Sequence, residues 1–240
     1  MAKTTRPGAS GGVAAGNRAP SERILDAALE RAEAIGWDKL RMHDVAEQLG
    51  ISLADVVEHY RDLDGVADAW FAQAWRVMLA PPPPGFGDWP AQARLHDRMM
   101  LWFDALAEHR HVTGEMLRGK LYPSHPHHWV PMIFNLSRTI QWLREAALLD
   151  AGGLRRQVEE VGLTALFLAT LAVWLHDESG GQVRTRERLR RRLARGDRLM
   201  VRLWGAAGPG DRQDHAAGPG HRRTGGPARA RRLRRPAAHP

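Results

Sequence analysis

The sequence predicts an all-α fold: an N-terminal three-helix head of the helix-turn-helix type, joined to a larger helical body. Three observations carry this. Apolar residues recur at spacings of three and four almost throughout residues 21–204, with no strand alternation and no internal repeat. Two short amphipathic segments meet at Leu49-Gly50-Ile51-Ser52, the dimensions of a helix-turn-helix. Two long final segments carry small and apolar stripes suited to helix–helix contact.

The elements follow in order. Ser21 is expected to cap a first helix whose inner positions include Ile24, Ala27, Ala28, Ala32 and Ile35, and Gly36 ends it. Residues 42–49 form a second helix, broken at Gly50. Ser52 caps a third over residues 53–60. Asp62 or Asp64 caps a fourth, which runs to about Leu79 and is stopped by Pro81–Pro84. In the body, helices are expected at 90–108, with Pro90 in the first turn, and at 112–121, 129–149, 154–175 and 184–204. Residues 122–128 form a loop. The domains are thus a basic arm (1–20), a head (21–79), a body (88–204) and a tail (205–240).

Charge is unevenly placed. The chain carries a formal +8, of which residues 1–20 hold +3 and residues 205–240 hold +6. Both ends are rich in Gly, Pro and Ala and are expected to be disordered, since they offer little apolar surface to bury. Absence of cysteine excludes disulfides and thiolate zinc sites. The N-terminus shows no signal-peptide core, and the most apolar stretch, residues 161–175, is too short for a bilayer of about 30 Å. A soluble, cytoplasmic protein is expected.

The head resembles the TetR family of regulators. The matching residues are Ile24-Leu25-Asp26-Ala27-Ala28, Gly36-Trp37, Asp44-Val45-Ala46, Leu49-Gly50-Ile51-Ser52 and His59-Tyr60. The resemblance implies DNA binding through Arg23, Arg41, Ser52, Asp55, His59, Tyr60 and Arg61. It also departs from the family: Val57 and Leu63 stand where a phosphate-binding Tyr and Lys would fall. Residues 21–79 hold six basic and twelve acidic side chains, a formal −6, which opposes the phosphate neutralisation on which DNA affinity depends.

In the body, Met99, Trp102, Phe103, Met116, Trp129, Phe134 and Trp142 are expected either as plain core or as the lining of a pocket for an apolar small molecule or lipid. Gly162, Ala165, Ala169 and Ala172, with Leu189, Leu193 and Met200, are expected at a homodimer interface, which the TetR resemblance supports. A second resemblance lies in Trp174-Leu175-His176-Asp177-Glu178-Ser179, followed by Thr185, Leu189 and Leu193. It is similar to the C-terminal region of COQ9-type proteins, and implies a lipid- or isoprenoid-binding accessory of ubiquinone biosynthesis with a head that does not bind DNA. The spacing of His125-Pro126-His127-His128 does not suit a metal. No nucleophile elbow, P-loop, dinucleotide fingerprint or HExxH motif is present, so neither a cofactor nor an enzymatic activity is expected.

Overall fold

The structure, a computed structural model, describes residues 18–120 and 129–205, less the side chains of 120 and 129–134. The arm to residue 17, the loop 121–128 with its histidines, and the tail from 206 lie outside the described residues. Among the described residues there are nine α-helices and no strand. They are α1 (Pro20–Ile35), α2 (Met42–Leu49), α3 (Leu53–His59), α4 (Leu63–Met78), α5 (Ala91–Ala105), α6 (Arg110–Lys120), α7 (Trp129–Ala146), α8 (Gly153–Trp174) and α9 (Val183–Trp204).

The head consists of α1–α3 around Ile24, Ala28, Val45 and Val56, all buried. Its caps are local chemistry. Gly36 ends α1 at φ 90°, with its N–H on the Ala32 carbonyl. Gly50 closes α2 at φ 65°, the left-handed region where a Cβ is penalised. The Asp62 side chain accepts from the Gly65 N–H at 2.9 Å and caps α4. Ser21 is not the cap expected of it: Pro20 opens α1, and Ala19 at the N-cap makes no side-chain bond. Pro90 likewise sits at the N-cap of α5, and α5 stops at Ala105 rather than Glu108.

α4 leaves the head and lies along α5, which packs in turn on α7, α8 and α9. Buried Arg98 donates to the carbonyls of Ala80 (2.9 Å) and Met78 (3.3 Å), covering acceptors that the end of α4 leaves open. Arg144 is also buried. It pairs with Glu159 at 2.6 Å and donates to the Ala151 carbonyl, tying α7 to α8.

α8 corrects the expectation of a short apolar stretch. It is one continuous helix of 22 residues with a mean hydropathy of 1.3 over its apolar window, long and apolar enough by length and composition to cross a membrane. Its inner face, however, supplies Leu163, Phe167, Thr170 and Trp174 to the protein core. Arg155, Arg156, Glu159 and Glu160 occupy its first two turns as ion pairs.

Candidate functional site

The helix-turn-helix is built by α2, α3 and the turn between them. The Ile51 N–H reaches back to the Ala46 carbonyl at 3.1 Å, and Val45, Ala46 and Val56 fill the crossing. Ser52 and Asp55 form a reciprocal cap. The Asp55 N–H donates to Ser52 Oγ at 3.1 Å, while Asp55 Oδ2 accepts from the Ser52 N–H (2.8 Å) and hydroxyl (2.7 Å). Those bonds from Ser52 hold the Asp55 carboxyl below its ordinary value. Ser52 and Asp55, expected at the DNA, are thus bonded to each other through Ser52 Oγ and Asp55 Oδ2, and both are exposed.

Tyr60 also has a partner within the head. Its hydroxyl donates to the Ser21 carbonyl at 3.0 Å, fastening the end of α3 to the start of α1, and burial pushes the phenol up. Arg23, Arg41, His59 and Arg61 are exposed as expected of DNA contacts, although Arg61 lies 3.2 Å from Asp62. Two large apolar side chains also stand on α3's outer face: Leu53 is 50% exposed and Val57 58%.

In the body, Met99, Trp102, Phe103 and Met116 are buried. They are packed into the core. Phe167 and Trp174 of α8 fill the space against them, with Trp102–Phe167 centroids at 5.0 Å and Phe103–Trp174 at 5.5 Å. Trp142 is 47% exposed and outside the core, because α7 turns Ile140, Leu143 and Arg144 inward instead. The side chains of Trp129 and Phe134 lie outside the described residues. Among the described residues a cleft of about 570 Å³ lies between α5 and α9. Its apolar surfaces are Trp89, Met100, Leu101 and Leu193, and its polar ones His96, Asp97, Asp104, Arg186 and Arg190. Arg186 clamps both Asp104 oxygens at 2.6 and 2.7 Å, joining the two walls.

The small stripe of α8 faces outward. Gly162, Ala165 and Ala172 are exposed, and Ala169 is half-buried. Val158, Val161 and Leu168 extend the stripe, Val161 being 72% exposed. Leu189 and Leu193, expected at a dimer contact, are taken up by the protomer's own core, since α9 turns them toward α5 and α8. Met200 is half-buried.

The segment from Trp174 to Ser179 shapes the turn into α9. Asp177 Oδ1 accepts from the Ser179 N–H (3.0 Å) and hydroxyl, and Oδ2 from the Thr185 N–H (2.7 Å) and hydroxyl (2.6 Å). Burial alone would push this carboxyl up. The four bonds outweigh burial and hold it well below the carboxylate range. Arg110 of α6 donates to the Asp177 carbonyl and lies over the Trp174 ring. The residues behind the COQ9-type resemblance thus serve the chain's own fold.

An exposed recognition helix on a helical body with a ligand-sized cleft defines a helix-turn-helix protein. No protein-family profile and no curated protein matches the chain. Solved structures do. A TetR transcriptional regulator from Nitrosomonas europaea ATCC 19718 is 38% identical with a TM-score of 0.66, over 73% of this chain and 96% of that one. A TetR transcriptional regulator from Rhodococcus sp. RHA1 is 19% identical with a TM-score of 0.53, over 76% and 96%, a likeness of fold alone. The chain belongs to the TetR family of transcriptional regulators.

Proposed function

We propose that the protein is a one-component regulator acting in the cytoplasm: a homodimer that binds duplex DNA through α3 and is controlled by a small molecule in the body. The observation that carries this is the 38% identity across 96% of a TetR regulator, with the helix-turn-helix intact and its recognition helix exposed. The outward stripe of α8 supports a dimer, because exposed Val161 and Leu168 beside Gly162 and Ala165 suit close packing against a second copy.

The α5–α9 cleft has the volume of a small-molecule site. Its walls favour a ligand with an apolar body and a hydrogen-bonding end. Such a ligand would shift α9 against α5. Because α5 packs along α4, and α4 enters the head, the spacing of two heads would change. The test is mass spectrometry of small molecules that co-purify with the protein. Each is then added back to a DNA-binding assay, where a true effector changes affinity.

A second reading, the COQ9-like accessory of ubiquinone biosynthesis, rests on one observation: a −6 head whose recognition helix exposes leucine and valine where cations would help. It forecasts a co-purified isoprenoid and no retained DNA.

A further inference from the structure

On the recognition helix Asp55 Oδ2 accepts from Ser52, and the Tyr60 hydroxyl donates to the Ser21 carbonyl, while Glu58 and His59 are exposed toward its C-terminal end. Val56 faces the core. Leu53 and Val57 remain, two large apolar side chains one helical turn apart, with exposed Ala54 on the same side. Nothing among the described residues covers them, and apolar surface held in water is a cost that a partner's apolar group relieves.

The geometry points to Leu53 and Val57 as thymine readers, which bury the C5-methyl groups of two thymines in the major groove. This inference rests on the DNA-binding reading above. The thymine methyl is the apolar group that an unmodified base pair presents in that groove, and it separates T·A from the other pairs. Four residues of helix advance about 6 Å. One base step advances about 3.4 Å. The two thymines therefore lie one or two steps apart in each half-site. Ala54 lets the helix come close. Of the carboxylates suited to a cytosine amino group, Asp55 is oriented by its Oδ2 bonds to Ser52, and Glu58 lies a residue beyond Val57.

The experiment uses the full-length protein and a duplex it has selected from genomic fragments. Each half-site thymine is replaced in turn by deoxyuridine, which removes only the methyl. Affinity should fall about fourfold at each of two positions, the effect of exposing one buried carbon group, and not at the others. Leu53→Ala and Val57→Ala should each erase the thymine–uracil difference at one position, with melting curves like the wild type's because both side chains are exposed. Equal affinity for all thymine and uracil duplexes overturns the thymine reading and leaves DNA binding standing. Retention of no fragment by the folded protein overturns both, and gives this apolar and acidic face to a protein partner.

Discussion

The backbone N–H of Trp37, in the turn after α1, donates to Glu115 Oε2 of α6 at 2.7 Å, joining head to body across 78 residues of sequence. Two further bonds run beside it: Trp70 Nε1 to Thr113 Oγ1 at 2.9 Å, and His109 Nδ1 with Glu33 at 3.2 Å. α6 is thus bolted to the head. Glu115→Ala should lower stability by about 1.5–3 kcal/mol, as loss of a hydrogen bond to a charged acceptor does. Urea unfolding measures it, and Glu115→Gln should lose less. An unchanged midpoint would show that this bond does not couple the two parts.

Tyr60→Phe removes only the hydroxyl that holds Ser21. A neutral bond of this kind is worth about 1 kcal/mol, so the melting temperature should fall by a few degrees. DNA affinity at a temperature where both proteins are folded should not change. A large loss of affinity at equal folding would place the hydroxyl on the DNA after all.

Asp177 gives the chain an acid-sensitive joint. Its folded carboxyl titrates below its unfolded value of about 3.9. The stability it adds is complete well above that value, declines as pH falls below it, and is lost only as pH passes the lower folded value. Asp177→Asn should be less stable at pH 7, and the gap to wild type should narrow toward pH 3. Parallel melting curves across that range would contradict the arrangement of four bonds around the carboxylate.

Ala165→Glu places a charge on the outward stripe of α8, where the protomer itself has room. Helix content should persist while light scattering shows the mass halved, because an unpaired carboxylate would be buried in the dimer. A variant that stays dimeric moves the interface to another face.

The head was legible because its signals are short-range. Gly36, Gly50, Ser52 and Asp62 act within three or four residues of themselves, and each does in the structure what its type suggests. The site was less so. Ser52 with Asp55, three residues apart, reads equally as a cap or as a pair of DNA contacts, and only geometry shows the mutual bonds. Trp142 looked like pocket lining, but α7 turns its neighbours Leu143 and Arg144 inward. The α5–α9 cleft depends on Asp104 meeting Arg186 across 82 residues, a pairing that no local period encodes.

DNA binding by an acidic head is measured by genomic fragment selection with the full-length protein. A homodimeric regulator should retain duplexes with two-fold symmetric half-sites centred about 34 Å apart. Its salt dependence should be shallow. With Arg23, Arg41 and Arg61 on each of two heads, the slope of log affinity against log salt should not be steeper than about −5, apart from the arms. Failure of the folded protein to retain any duplex, even at low salt, would contradict DNA binding.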